Sequence, residues 1–352
     1  MPPSLYPGRP RHQLADCPPN PPKRPPIRHT SIMQNKHIEH PEDTILTGDL
    51  TALDWFLAEG NLSVKMDGAP AIVWGRNPAT GNFFVGTKSV FNKVKIKINE
   101  SHAEIDQNHT GEVAKILHAC FDWLPHTDAI FQGDFIGFGG ESEYTPNTIT
   151  YDFGVTIHQE IIVAPHTYYT FTEFQLKNAK ELHEIHGNVL GFAVANPMLF
   201  TISDTIYCKF VKPKARIFSG DYTRCAGSFG DLSEVIQFAK QMAQTVTFLD
   251  DKKAKEIKKQ LNACIREKRP VVNSDFDCDP LLLGLWALVK SIKDDALYLC
   301  RNDGPGAYIG YDQIDAEGYV YSNEFGTMKL VNRERFSYAN FNNAKFNKEV
   351  CQ

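Results

Sequence analysis

Three helices in succession, set between two groups of short strands, are what most restricts the fold of this chain. Leu232, Val235, Ile236, Ala239 and Met242 recur at helical spacing. Ala254, Ile257, Leu261 and Cys264 do the same on a lysine-rich segment, and 281–297 is a third, more apolar run. Such spacing lays one face of each helix on a core. On either side the pattern changes to short runs of β-branched and aromatic residues bounded by turns, which read as strands. These are 71–75, 83–88, 129–136, 148–155 and 160–163 before the helices, and 307–310, 318–321 and 327–331 after them. The expected class is α+β, with the helices as an insertion between strands that belong to one domain.

Two further helices are expected nearer the start, one across His37–Glu59 and ending at Gly60, the other over 102–123. The expected organisation is a proline-rich disordered tail at 1–32, a first domain part at 33–225, the helical insertion at 226–300 and closing strands at 301–352. A chain of 352 residues can bury a large core. It has no apolar run of the roughly 18 residues needed to span a bilayer and opens without an apolar signal core, so a cytoplasmic protein is expected, in a host cytoplasm if the source is viral. The formal charge of −5 argues against coating nucleic acid nonspecifically but leaves room for a local basic groove. Eight cysteines without a CxxC pair point to reduced thiols rather than a zinc or disulfide framework. His37 and His40 have a helical i,i+3 spacing that suits a metal, but a polar helix face explains them as well.

The candidate chemistry begins at Val64-Lys65-Met66-Asp67-Gly68-Ala69-Pro70, where one strand delivers a lysine into an Asp-Gly turn ahead of the next strand. A fixed amine is a covalent nucleophile once its charge is removed. Other polar groups stand at strand ends. They are Thr87 and Lys88, Asp134 after Gly133, Tyr151 and Phe153 around Asp152, Glu317 before a strand and Lys329 inside one. Charges in apolar strands are costly unless paired or used. Two carboxylates and a cation beside a nucleophile are what chemistry on a metal-bound nucleotide requires.

In that order the residues resemble the covalent nucleotidyltransferases: the ATP-dependent DNA and RNA ligases and the mRNA capping enzymes. Lys65-Met66-Asp67-Gly68 resembles their first motif, whose lysine takes AMP or GMP. Gly86-Thr87-Lys88-Ser89 resembles the segment that contacts ribose and nucleic acid, and Phe131-Gln132-Gly133-Asp134-Phe135 the third motif, whose acid meets ribose or metal. Tyr151-Asp152-Phe153 is similar to the strand that lays an aromatic ring on the base. Glu317-Gly318-Tyr319-Val320 resembles the fourth motif, whose acid binds the metal, and Met328-Lys329-Leu330-Val331 the fifth, whose lysines hold the α-phosphate. From about 36 to 341 the chain is also similar to ligase-like proteins of tailed cyanobacterial phages, through Lys-x-Asp-Gly-Ala-Pro-Ala, Phe-Phe-Val-Gly-Thr-Lys-Ser-Val-Phe-Asn-Lys, Gln-Gly-Asp, Pro-Asn-Thr-Ile and Lys-Leu-Val-Asn-Arg. It departs from the ligase pattern in having Pro70 where an arginine is usual, Asp134 for Glu, the single Lys329 for two lysines, and a helical insertion before Glu317.

The resemblance implies a nucleotidyltransferase fold of twisted, mostly antiparallel sheets around an ATP cleft. Lys65 and Asp67 would be catalytic. Val64, Thr87, Lys88, Asp134, Tyr151, Phe153, Glu317 and Lys329 would hold the nucleotide, and Asp134 and Glu317 would hold Mg2+ or Mn2+. The implied activity is an ATP- and metal-dependent polynucleotide ligase joining 5′-phosphate to 3′-hydroxyl ends. RNA is read before DNA, because only about 20 residues follow the fifth motif and no oligonucleotide-binding barrel is recognisable among them. Two other readings stand beside it: a nucleotidyltransferase that modifies or caps another acceptor, and a non-catalytic binding or virion-associated protein on a ligase-like scaffold. A free lysine is neutral about once in a few thousand at pH 7, so Lys65 needs a pKa roughly 3 lower, about 4 kcal/mol, which Lys329 and a metal would favour. Two basic stretches are candidate phosphate contacts: Lys88 with Lys93, Lys95 and Lys97 on one face of an expected strand, and Lys209, Lys212, Lys214 and Arg216. A solvated edge strand blunted by lysines is the plainer account of the first.

Overall fold

The glycine at 48 decides how the described part of the chain begins. Its φ of 82° is left-handed, and its N–H caps the turn before it by donating to the Ile45 carbonyl. The single helix expected across 37–59 is therefore broken into α1 (Pro41–Thr44), a 3-10 turn (Ile45–Thr47) and α2 (Thr51–Trp55). The computed structural model describes residues 38–77, 80–92, 94–170, 186–189, 206, 208–210, 215–217 and 231–336. These all fall within one unit, 33–352. The expected tail at 1–32 and His37 lie outside the described residues.

Along the chain come β1 (Gly60–Lys65), β2 (Ala71–Arg76), β3 (Phe83–Gly86), α3 (His102–Asn108), α4 (Gly111–Trp123), β4 (Ile130–Phe138), β5 (Glu143–Tyr144), β6 (Thr150–Asp152), β7 (Ile161–Thr170), β8 (His186–Val189), β9 (Cys208–Phe210) and β10 (Ala215–Ile217). Then come α5 (Leu232–Ala243), α6 (Asp251–Arg266) and α7 (Pro280–Leu299), and after them β11 (Cys300–Asn302), β12 (Gly306–Ile309), β13 (Asp312–Ile314), β14 (Gly318–Asn323) and β15 (Gly326–Val331). The class is α+β with several sheets. Among the described residues no helix is long and apolar enough to cross a membrane.

Two sheets hold most of these strands. In the first, β14 lies between β1 and β15, antiparallel to both. In the second, β3, β2, β4, β7 and β8 run side by side and antiparallel, and β9 adds to β7 as a parallel pair. β1 and β2 are neighbours in sequence but lie in different sheets. The expected Asp-Gly turn between successive strands is therefore a crossing from one sheet to the other.

The helices 232–299 form as their spacing predicts, and each starts on an aspartate cap. Asp231, Asp250 and Asp279 accept from the backbone N–H groups of Ser233, Lys253 and Leu281. Their buried faces (Val235 and Ile236, Ile257 and Leu261, Leu285 and Trp286) share one core with Leu53, Trp55 and Phe56 and with Tyr319, Val320 and Leu330 of the first sheet. The helical block is thus packed as the floor of the first sheet. α3 and α4 belong to another core, where Ile105, Leu117 and Cys120 meet Trp74, Phe131 and Val163 of the second sheet. The single helix expected over 102–123 is interrupted because His109 and Thr110 take extended φ values of −137° and −139°.

Two expected strands also shrink. Of 148–155 only β6 is extended, paired with β12 and β5. Among the described residues of the lysine stripe, 94–98, none is in a strand. A 3-10 turn at Lys88–Phe91 is followed by irregular chain in which Lys95 has a φ of 57°. Alternation across a strand cannot pass through that residue. Lys97 then turns inward, its Nζ donating to the Asn108 carbonyl at 2.5 Å at the end of α3. Lys93, Lys212 and Lys214 lie outside the described residues.

Candidate active site

The last residue of β1 is Lys65, paired in register with Gly318, so Glu317 arrives beside it at the start of the neighbouring strand. Lys65 Nζ donates to Glu317 Oε2 at 2.6 Å and to Asp67 Oδ1 at 3.3 Å. The crossing segment then lies along β4. Ala69 N–H donates to the Phe135 carbonyl and Phe135 N–H to the Pro70 carbonyl, both at 3.0 Å. This brings in Asp134, the register partner of Ala71, whose carboxylate accepts a hydrogen bond from the Gly68 N–H. Lys329 enters from β15, opposite Val320, and Lys88 from the 3-10 turn after β3. Lys65, Asp67, Lys88, Asp134, Glu317 and Lys329 all line one cleft of about 370 Å³.

Other expected site residues stand behind that cleft. Val64 is buried in the core, and Thr87 caps the 3-10 turn by accepting from the Ser89 N–H. Tyr151 was expected to offer its ring to a base, but it is 2% exposed. Its hydroxyl accepts from the Asp67 N–H at 2.8 Å and donates to the Asp67 carbonyl at 3.3 Å. That is a brace for the Asp67 backbone and leaves no face for stacking. Phe153 packs edge-on against Tyr144 instead.

Several contributors were not recognised as such from the sequence. Asn147 donates to Asp67 Oδ2 at 2.5 Å, while its own Oδ1 accepts from the N–H groups of Thr148 and Ile149. It sits in the Pro-Asn-Thr-Ile stretch, which was legible as a motif without a role. His166 of β7 faces Asp134, Nε2 to Oδ1 3.9 Å. His40 and Arg333 line the cleft wall. The sequence marks His40 only by its spacing from His37 and Arg333 only as the end of Lys-Leu-Val-Asn-Arg. It places none of the three in the cleft, because they arrive from β7, the segment before α1 and the helical residues after β15.

The electrostatics reverse one expectation. Burial alone would lower the Lys65 pKa, but Asp67 and Glu317 outweigh it and hold the group above its ordinary value as an ammonium. The lysine that is depressed is Lys329, brought to about 8 by burial and then by the Lys65 charge. Burial raises Glu317 to about 7 against the pull of Lys65. Burial and then the Asp67 charge raise Asp134 to about 7. Two buried carboxyls in want of positive charge are hard oxygen donors. Magnesium takes one or two such donors from a protein when substrate phosphates complete its shell. Among the described residues no group of three or more His, Cys, Asp and Glu side chains gathers to hold a metal.

A family model described as a family of unknown function, DUF6267, matches residues 35–281 and 279–345. The chain belongs to that family. The match takes in both sheets and the helices between them, so the cleft of this DUF6267 protein is built wholly from family sequence. No curated protein and no solved structure matches the chain.

Two expected results arise from this geometry. Asp134 folds with its carboxyl raised from 3.8 to about 7, so between those values the folded state keeps a proton the unfolded chain has lost. Stability must then fall as pH climbs through that window. Asp134→Asn removes the loss. The variant is expected to be more stable than the parent by one to a few kcal/mol near pH 8, with the gap closing toward about pH 4. Urea melts at both ends check it, and a variant less stable at the alkaline end would overturn the assignment. At Gly68 a Cβ would stand 2.4 Å from the Phe135 carbonyl oxygen. Gly68→Ala is expected to cost about 1–3 kcal/mol and to shift the N–H that binds Asp134. A melt that matches the parent would mean the crossing segment is not pinned to β4.

Proposed function

We propose that this protein is an ATP- and divalent-metal-dependent polynucleotide ligase working through a covalent lysyl-AMP on Lys65. The proposed fold is that of the nucleotidyltransferases, with 33–225 and 301–352 forming the catalytic domain and 226–300 inserted in it. The observation that carries the reading is the junction of the two sheets. Lys65, Asp67, Asp134, Glu317, Lys88 and Lys329 come from five separate stretches of chain and meet in one cleft. A solvated surface would not gather a mostly buried lysine, three acids and two further cations.

Each residue then has a task. Lys65 Nζ attacks the α-phosphorus of ATP, the N–P bond forms, the α–β phosphoanhydride breaks and pyrophosphate leaves. The ammonium gives up two protons: one passes to Glu317 Oε2, 2.6 Å away on a carboxyl near 7, to free the amine for attack, and the second leaves with pyrophosphate once the N–P bond has formed, Glu317 holding the metal in its ionised form. Asp67, held by Asn147 and Tyr151, orients the amine. Lys329 and Lys88 offer positive charge to the phosphates. Asp134 and Glu317 would hold magnesium or manganese, which supplies neutralisation of phosphate charge. An acceptor 5′-phosphate oxygen then takes AMP from Lys65, and a 3′-hydroxyl displaces AMP. RNA is the acceptor to test first.

Incubation with α-labelled ATP or GTP and magnesium or manganese, followed by a denaturing gel, tests the proposal. Label retained on the protein is the expected result. Glu317→Ala and Asp134→Ala should each slow labelling by roughly two to four orders of magnitude. A second reading, a protein that binds nucleotide without transferring it, is favoured by one observation: Lys65 is held as an ion-paired ammonium. A parent protein that binds nucleotide but takes no label would decide for it.

A further inference from the structure

The sequence His-x3-Asp occurs twice on the helices that cover the second sheet, as His102 to Asp106 on α3 and His118 to Asp122 on α4. At i,i+4 spacing each pair shares one helix face. The helices pack so that the pairs cross. His102 Nε2 meets Asp122 Oδ1 at 3.0 Å, and His118 Nε2 meets Asp106 Oδ1 at 2.9 Å. An ionised carboxylate only accepts, so both Nε2 atoms carry hydrogens and both imidazoles are left with Nδ1 as the donor atom. The two Nδ1 atoms face one another at 2.7 Å, with the rings 21° from coplanar and their centroids 4.9 Å apart. Two lone pairs directed at each other this closely repel unless a positive charge, a proton or a metal ion, lies between them.

We propose that His102 and His118 form a site for a borderline transition-metal cation of the zinc, nickel or copper class, bound through the two Nδ1 atoms. Imidazole nitrogen is the donor these ions favour over the hard cations. A histidine ligand usually gives its other ring N–H to a carboxylate, which fixes the tautomer and raises the basicity of the donor atom, and both histidines here are already held that way. A tetrahedral ion with bonds of about 2.0–2.1 Å sets its two nitrogens about 3.3–3.4 Å apart, so these must open from 2.7 Å by roughly 0.6 Å. The rings can open by that amount, since the side chains are 49% and 29% exposed. Two protein ligands leave the remaining positions to water or to an incoming group. The site lies outside the cleft, and its existence does not depend on the ligase reading. Its structural effect would be to staple α3 to α4. The end of α3 in turn holds Lys97 and, through Asn108, Asn99, so metal occupancy would stiffen the segment that follows Lys88.

Zinc titration by calorimetry, with magnesium in millimolar excess to occupy carboxylate sites, tests the proposal. The parent is expected to bind one more equivalent of zinc than the double variant His102→Gln/His118→Gln, with a dissociation constant of order micromolar. Asp106→Asn and Asp122→Asn keep both ligands and should weaken that equivalent roughly 10- to 100-fold. Cu2+ bound there should show coupling to two nitrogens by electron paramagnetic resonance, lost in the double variant. Both histidines are partly exposed, so the variant should fold, and its metal-free melt checks this. Equal zinc stoichiometry in parent and double variant would overturn the site. So would no uptake at about 100-fold above the expected constant, since the pair would then share only a proton.

Discussion

Lys65→Ala is expected to take up no covalent nucleotide under conditions where the parent is labelled. An alanine has no nucleophile, and Lys329, the cleft lysine whose pKa burial lowers, enters on β15 from the far side of β14. Removing the ammonium also leaves Asp67, Asp134 and Glu317 without their central counter-charge. Breaking a buried ion pair ordinarily costs about 3–5 kcal/mol. Here part of that cost is avoided at neutral pH and below, because Asp134 and Glu317 already sit near 7 and can take up protons. The variant should therefore fold at about pH 6 and lose stability relative to the parent as pH rises. Lys65→Arg separates the two roles, since it keeps a cation against the acids but offers no amine to phosphorus. It should melt close to the parent at alkaline pH and still take no label. Labelling of either variant at the parental rate would move the nucleophile elsewhere. A Lys65→Arg protein as unstable as Lys65→Ala would mean that the shape of the lysine, not its charge, holds the cleft.

How much of this was legible depends on the length scale of each signal. The charged residues of the cleft stood out because each lies inside or at the end of an apolar strand, and such a residue has few ways to exist unless the fold uses it. The α5–α7 block was legible for the same kind of reason: its period runs over many turns and its aspartate caps are local. The brace made by Tyr151 was not legible because a motif says which residue types recur, not which hydroxyl will find a backbone amide. The break at Gly48 and the loss of the lysine strand rest on one left-handed residue each, too small a signal to override a periodic window. The paired His-x3-Asp repeat was present in the sequence but has meaning only when α3 and α4 are laid side by side.

Lys293 is the clearest case of a residue whose role no periodicity could reveal, and its replacement is expected to be among the most damaging to the fold. It lies on α7 within the buried face formed by Val289, Ile292 and Ala296, and it is fully buried. Its Nζ donates to Glu42 Oε1 at 3.1 Å and to the Val331 carbonyl at 3.0 Å. Arg333 Nη1 donates to the same Glu42 oxygen and to Asp43 Oδ1, both at 2.9 Å. This network ties α1 to α7 and to the end of β15, the strand that carries Lys329 into the cleft. Lys293→Met keeps the volume but leaves Glu42 with Arg333 as its remaining partner, a charge Arg333 already shares with Asp43, which Lys258 also meets at 3.4 Å. A loss of about 3–5 kcal/mol is expected, or roughly 10 °C in the melting midpoint for a chain of this size. Adding Glu42→Gln to Lys293→Met removes the unmatched carboxylate and should recover part of that loss, so the two changes would be less damaging together than their sum. Lys329 should be disturbed along with β15, so labelling by the single variant should fall even below its unfolding temperature. Chemical and thermal melts of the parent, single and double variants measure the coupling. A single variant within about 1 kcal/mol of the parent would show that water reaches Glu42 and that the network is not the anchor of the cleft wall.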